Sequence, residues 1–185
     1  MVIFLHFFIL QVLWWGSILS AVHLDFAPWA PFFMVIILLL LSHFTSLYNE
    51  KDRILGVVAT LIGLVLDTLW IQLGLIEYTA DWPIAGFCPL WILVLWFGVG
   101  FDFRHSLLWL EQRKIIGGIV TGISAPLCYW SAMKAGVGQI PNEMQFITPL
   151  VIGITWAIVF PAYAQLAVYI ERIPDISFKR ANNET

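Results

Sequence analysis

The chain has 185 residues, of which 61% are hydrophobic and only 11% are charged. Soluble domains carry about 45–50% apolar and about 25% charged residues, so this chain lacks the polar side chains that a water-exposed surface requires. A net charge of −3 without a basic cluster gives nucleic acid no electrostatic footprint. The composition therefore predicts an integral membrane protein with the lipid bilayer as its surroundings, and it excludes nucleic acid as a partner.

Six stretches are apolar over the roughly 20 residues that a bilayer-crossing helix needs. Lipid offers no hydrogen-bond partner to open strand edges, so we predict an all-α fold, a polytopic bundle of six transmembrane helices. The first stretch lacks the basic region and small-residue cleavage site of a signal peptide, and we expect it to be retained. Residues 1–172 are predicted to form one transmembrane domain and 173–185 a polar cytoplasmic tail. The predicted spans are residues 2–22, 29–48, 54–76, 89–109, 115–136 and 148–170.

Lysine and arginine are distributed unequally between the two ends of these predicted helices. With a cytoplasmic amino terminus, eight of the nine basic residues lie in cytoplasmic segments and only Lys134 lies outside. Cytoplasmic loops carry an excess of Lys and Arg, so both termini are predicted to be cytoplasmic.

The even-numbered predicted helices align at an interval of 60–61 residues. This interval predicts three tandem helical hairpins inserted in the same direction. The alternative is a chance alignment, since proline at the entry and an aromatic residue at the exit are common in any span. The copies begin at Pro28, Pro89 and Pro149 and carry an aromatic residue twenty positions later, at Tyr48, Trp109 and Tyr169.

Asp67 lies near the middle of the third predicted span, where ionisable residues are expensive and mark functional sites. It shares a helical stripe with Trp70 and three glycines, which let another helix approach closely. Tyr129 lies at a similar depth on a small-residue stripe of the fifth span, so a hydrogen bond between Asp67 and Tyr129 is predicted if the third and fifth spans adjoin. Two interpretations stay open: a ligand-binding or proton-handling carboxylate, or a structural link between helices. Gln11 is a further candidate for this site, with helix packing as its alternative.

Asp102, Arg104 and His105 form a second polar group near the cytoplasmic end of the fourth predicted span. The repeat places His43 at the level of Arg104 and Gln165 at the level of His105. Such a ring predicts a site for an anionic headgroup or a carboxylate, bound by the arginine. The alternative is an interfacial arrangement in which long side chains extend to the headgroups.

The sequence shows no nucleophile with its base, no paired carboxylates at workable spacing and no set of metal ligands. Whether the protein is an enzyme is therefore left open, and no catalytic residue, cofactor or metal site is predicted. Tryptophans within the spans predict either core packing or an apolar cavity for a lipid, quinone or flat ring ligand. These tryptophans are Trp14, Trp70, Trp96, Trp130 and Trp156.

Several short motifs resemble those of a family of uncharacterised bacterial inner-membrane proteins with six spans. The resemblance covers residues 1–170 and implies a multi-pass protein of the bacterial cell inner membrane. Members have no established activity, and their genes often lie beside fatty-acid-modifying enzymes. The resemblance thus implies an accessory or binding component in membrane fatty-acid or lipid modification, with a membrane or peripheral protein as partner. The motifs are Asp67–Trp70, Pro89–Trp91 with Trp96, Ser106–Leu110, Gly117–Gly118, and Ala125–Pro126 with Tyr129.

Six spans in a chain of this length also resemble the vitamin-binding subunits of energy-coupling-factor transporters. The small residues Gly16 and Ser20, and Ser17 and Ala21, are spaced like those of the helix face by which such subunits dock. This resemblance implies the alternative function, a small-molecule transporter or vitamin-type substrate-capture subunit.

Overall fold

The computed structural model of the chain describes residues 2–23, 33, 35–37, 39–40, 48–79, 81, 83–107 and 113–174. Two short strands follow the second and fourth helices and pair antiparallel, with Glu77 opposite Gln139. The helices are α1 (Val2–Val22), α2 (Glu50–Gln72), α3 (Leu90–Ser106), α4 (Lys114–Lys134) and α5 (Ile147–Glu171); the strands are β1 (Glu77–Tyr78) and β2 (Gly138–Gln139), and a 3-10 helix covers Asn142–Met144.

These five helices coincide with five of the predicted spans to within four residues at either end, which confirms the helical fold class. Most of the predicted second span and most of the predicted tail lie outside the described residues, although residues 33, 35–37 and 39–40 are helical. Three of the described helices, α2, α4 and α5, are long and apolar enough to cross a membrane. Their length and composition identify the chain as a membrane protein.

The start of α2 is set by a capping box at Asn49 and Asp52. The Asn49 side chain accepts from the backbone N–H of Asp52, and the Asp52 carboxylate accepts from the backbone N–H of Asn49. The charged residues that look like a loop in the sequence therefore form the first turn, and the helix begins four residues before its predicted start. Asp67 lies five residues before the last residue, Gln72. This is about 7.5 Å along the axis, so Asp67 is nearer the helix end than predicted.

Glycines allow close helix packing, as predicted, and the structure shows which helices approach them. A Cβ at Gly63 of α2 would overlap the indole ring of Trp96 on α3. On α4, a Cβ at Gly122 would lie 3.0 Å from the backbone oxygen of Gly153 on α5. The small-residue stripe of α2 therefore receives α3, whereas the stripe of α4 is filled by α5.

The chain packs as two groups of helices, α1 to α3 and α4 with α5. Packing of α2 on α3 and of α4 on α5 agrees with two of the predicted hairpins; the repeat itself stays a prediction. The repeat aligns Pro89 with Pro149, but the two prolines have different positions in their helices. Pro89 is the N-cap of α3, whereas Pro149 lies inside the first turn of α5. The groups are joined by the sheet and by hydrogen bonds, such as that from the Tyr163 hydroxyl to the Leu55 carbonyl at 2.6 Å.

Candidate functional site

Asp67 is fully buried and accepts hydrogen bonds from three aromatic side chains. The hydroxyl of Tyr78 donates to Oδ1 at 2.9 Å, and the indole Nε1 of Trp96 donates to Oδ2 at 2.8 Å. The hydroxyl of Tyr129 lies 3.1 Å from both carboxylate oxygens, which confirms the predicted contact. An ionised carboxylate has about four acceptor positions and no donor, so it accepts all three bonds.

Each donor reaches Asp67 because of a local feature of the sequence. Gly63, one turn before Asp67, leaves room for the ring of Trp96 against α2. Tyr129 comes from α4 and Tyr78 from β1, where it pairs with Gly138. A Cβ at Gly138 would lie 2.9 Å from the Cα of Tyr78, so the strand pairing requires glycine there.

Tyr78 lies between two of the predicted spans, and the structure brings its side chain back onto Asp67. The short sheet is the reason, since two short segments that pair across loops give little sequence signal. Burial raises the pKa of the Tyr78 hydroxyl well above its usual value, with the negative charge of Asp67 adding to the effect. The hydroxyl therefore stays protonated and acts as a donor.

The three donors also line an apolar cavity of about 200 Å³ between α1, α3, α4 and α5. Asp67 is not part of the lining; it lies behind the aromatic wall and holds three of its side chains. An engineered cavity of about 150 Å³ already binds benzene. The volume therefore suits an apolar group of at least that size. Other lining residues include Trp14, Ile18, Trp91, Leu95, Val99 and Trp156.

A second cavity of about 50 Å³ adjoins the first. The two share part of their lining, and the second continues to Phe103 and Leu107 at the other end of α3. From Trp91 to Leu107 the lining follows α3 for about 24 Å. The two cavities therefore follow one another along α3, and we refer to the pair as the elongated apolar space. The shared residues are Trp96, Val99, Thr121 and Trp156.

The tryptophans predicted within spans have different surroundings. Trp96 and Trp156 stack at the cavity wall with ring centroids 4.8 Å apart and planes 11° apart. The Trp156 Nε1 is buried without a hydrogen-bond partner in the part of the chain that the structure describes. Trp70 packs in a core cluster, whereas Trp130 is 54% exposed beneath the Lys134 ammonium. Trp14, Trp96 and Trp156 are thus cavity residues.

Asp102 belongs to a second buried polar cluster, with partners that the sequence analysis missed. Its Oδ1 lies 2.6 Å from Nδ1 of His6 and 2.8 Å from the hydroxyl of Tyr48, and all three side chains are buried. The His105 ring stacks on His6 at 4.6 Å. A buried carboxylate needs hydrogen-bond donors, so the position of Asp102 within a predicted span was the sequence signal that such partners exist. The donors are His6 on α1 and Tyr48, the residue before the N-cap of α2. Their spacing in the sequence does not predict that they meet Asp102.

Arg104 does not pair with Asp102. Its guanidinium binds Asp52 at 3.0 Å and also pairs with the Glu171 carboxylate. Nε2 of His105 lies 3.3 Å from the other oxygen of Asp52. The buried Asp52 and the half-exposed Glu171 thus neutralise the guanidinium, and the predicted cluster divides into two networks.

Gln11 and Gln165 make no hydrogen bond to Asp67, Asp102 or Arg104 in the part of the chain that the structure describes. Gln165 accepts from the Lys114 ammonium. Gln11 is partly buried, and within the described residues Asp67 accepts only from Tyr78, Trp96 and Tyr129. His43 lies outside the described residues.

The family model described as "Protein of unknown function (DUF2878)" matches residues 3–162. The chain belongs to this family. The match covers both Asp67 and Asp102 with their hydrogen-bond partners, so the two buried centres lie within the DUF2878 segment. Comparison with curated proteins and with solved structures gave no match.

Proposed function

We propose that this protein binds a linear apolar molecule, such as the acyl chain of a membrane lipid, as a binding component in membrane fatty-acid or lipid modification. The proposal places it in a bacterial inner membrane with six spans and both termini in the cytoplasm. The observation that carries it is the elongated apolar space along α3, whose aromatic wall is fixed by Asp67.

The shape and lining of this space support a chain-like ligand. The lining is almost entirely apolar, and burying each CH₂ of a ligand contributes about 0.8 kcal/mol. The polar side chains at the wall are mostly engaged already: the Thr121 hydroxyl donates to Gly117 O at 2.8 Å. The wall therefore offers contact area with few polar groups left to satisfy, which favours an acyl chain over a polar solute.

The site is accessible from the side of the bundle. Ser124 and Cys128 of α4 line the larger cavity, and both residues are exposed, so the cavity is open beside α4. In a membrane, this opening faces acyl chains. A ligand from the bilayer can therefore enter between helices without crossing the aqueous phase.

Asp67 acts in this proposal as a positioning residue. Both of its oxygens are occupied by Tyr78, Trp96 and Tyr129, and the side chain is 0% exposed. The carboxylate thus orients the donors that form the wall. The resemblance to proteins encoded beside fatty-acid-modifying enzymes supports a partner enzyme that would supply the chemistry.

Cys128 provides a native reporter for occupancy, with Cys88 as an internal control because it is only 3% exposed. We expect oleic acid to slow maleimide labelling of Cys128 in purified protein and to leave Cys88 unlabelled throughout. Val99 lines both cavities, so Val99→Trp should abolish the protection. Val65→Trp, at a position that is 65% exposed on α2, should retain it. Unchanged Cys128 labelling, or equal protection in Val99→Trp, would overturn the proposal.

A second candidate, capture or transport of a small flat-ring compound, is favoured by the stacked rings of Trp96 and Trp156 and by the unpartnered indole N–H of Trp156. The same labelling assay separates the two. Protection of Cys128 by riboflavin but not by oleic acid would support the ring ligand and contradict the acyl chain.

A further inference from the structure

An open groove lies between the start of α4 and the end of α5, with a volume of about 850 Å³. Three cationic side chains line it: Arg113 and Lys114 from the α4 start and Arg172 from the α5 end. The remaining lining residues are Ile115, Ile116, Gln165 and Val168. The groove lies at the start of α4, whereas Tyr129, which contacts Asp67, lies near the end of that helix, so the two sites can be tested separately.

The positive charge of this groove is not neutralised within the described part of the chain. Lys114 donates to Gln165, which is neutral, and no acidic side chain among the described residues pairs with Arg113 or Arg172. Arg104 differs, because Asp52 and Glu171 both bind its guanidinium. The predicted arginine for an anionic ligand was Arg104, but among the described residues it is Arg113, Lys114 and Arg172 that have no acidic partner.

Apolar side chains lie directly beside these cations. Ile115 is 80% exposed and Ile116 is 48% exposed, and Val168 faces the same groove from α5. A phospholipid headgroup carries its phosphate charge next to acyl chains, so its two parts match the two parts of this surface. A free phosphate ion would use the cations and leave the isoleucines uncovered.

We propose that this groove binds the headgroup of an anionic phospholipid, with Arg113, Lys114 and Arg172 on the phosphate and the acyl chains along Ile115 and Ile116. Basic pockets between transmembrane helices bind anionic headgroups on the cytoplasmic side, where these three residues are predicted to lie. Guanidinium groups bind phosphate oxygens in a bidentate manner, and the lysine adds a point charge.

The test measures which lipids the purified protein retains. The protein in detergent is incubated with an equimolar mixture of phosphatidylglycerol and phosphatidylcholine with identical acyl chains, and retained lipid is quantified by mass spectrometry after gel filtration. We expect about fivefold enrichment of phosphatidylglycerol. Arg113→Gln/Lys114→Gln/Arg172→Gln should reduce the retained lipid to the ratio of the mixture. Lys134→Gln, at the opposite end of α4, should leave the enrichment unchanged.

Two further measurements address misfolding of the triple variant and binding of free phosphate. Arg172→Lys should retain the enrichment and Arg172→Gln should weaken it, so the single variants replace the triple variant if that fails to fold. Displacement of the lipid by millimolar inorganic phosphate would assign the groove to a soluble phosphate and overturn the lipid assignment. Equal retention of both lipids by the wild-type protein, or unchanged enrichment in the triple Gln variant and in Arg172→Gln, would also overturn it.

Discussion

The Tyr129 hydroxyl on α4 lies 3.1 Å from both carboxylate oxygens of Asp67 on α2, and this contact joins the two groups of helices. The larger cavity is lined by residues of both groups. This hydrogen bond is therefore one of the links that hold the two sides of the cavity together, beside the sheet and the hydrogen bond from Tyr163 to Leu55.

Tyr129→Phe removes that link and leaves the shape of the ring unchanged. Hydrogen bonds to charged groups contribute about 1.5–3 kcal/mol, so we expect a free energy of unfolding lower by that amount and weaker protection of Cys128 by oleic acid. Tyr169→Phe is the matched control, because Tyr169 is 64% exposed. Equal unfolding free energies for the two variants would show that the Tyr129 contact adds nothing to stability.

Asp67→Asn retains the size of the side chain but replaces an acceptor oxygen with an NH₂ group. All the described partners donate to Asp67, so a tyrosine hydroxyl must turn to accept from the NH₂ group, and the remaining hydrogen bonds lose their negatively charged acceptor. We expect a loss of about 2 kcal/mol or more in unfolding free energy, together with altered tryptophan fluorescence from Trp96.

The control for Asp67→Asn is Asp81→Asn, a change of an exposed loop carboxylate. Unchanged stability of Asp67→Asn combined with complete loss of ligand binding would contradict the positioning role. That result would instead make Asp67 a carboxylate that contacts the ligand or exchanges a proton with it.

Arg104→Gln leaves the Asp52 carboxylate, which is 0% exposed, without its cation. Removing one partner of a buried ion pair destabilises by about 3–5 kcal/mol; since the Arg104 side chain is 15% exposed, we expect the lower end of that range. Asp52→Asn in the same chain should restore part of the loss. Chemical denaturation of both single variants and the double variant measures the coupling, and strict additivity would contradict a direct interaction.

Burial raises the pKa of the Cys88 thiol, mainly because the thiolate loses its hydration. The unfolded chain ionises near pH 8.5 and the folded chain at higher pH, so stability is full below that value and falls as pH rises above it. We expect the thermal midpoint to decline between about pH 8.5 and about pH 10, with a smaller decline in Cys88→Ala. Parallel declines in the two proteins would show that Cys88 does not contribute.

Apolar runs bounded by charge, proline or glycine were sufficient to predict the positions of α1 and α3 to α5. The start of α2 was predicted wrongly because the capping box at Asn49 and Asp52 is polar and resembles a loop. The Asp67–Tyr129 contact was predictable from the similar depth of the two residues and from the small-residue stripes on which they lie, because buried polar side chains need hydrogen-bond partners.

The rest of the site depends on which helices are neighbours, and sequence spacing does not give this. His6 meets Asp102 because α1 packs on α3, and Arg104 meets Glu171 because α5 ends beside the start of α2. Tyr78 reaches Asp67 through a sheet of two residues per strand. These contacts follow from long-range packing.

The network around Arg104 has a further consequence, which concerns helix dipoles. The amino-terminal end of α2 carries partial positive charge and the carboxyl-terminal end of α5 partial negative charge. The Lys51 ammonium donates to the Glu171 carbonyl at 2.8 Å, and Arg104 bridges Asp52 in the first turn of α2 to Glu171 at the end of α5. Opposite poles thus lie side by side, and an inverted α5 would bring two positive poles together. The electrostatics at this end of the bundle therefore favour the antiparallel arrangement of α2 and α5.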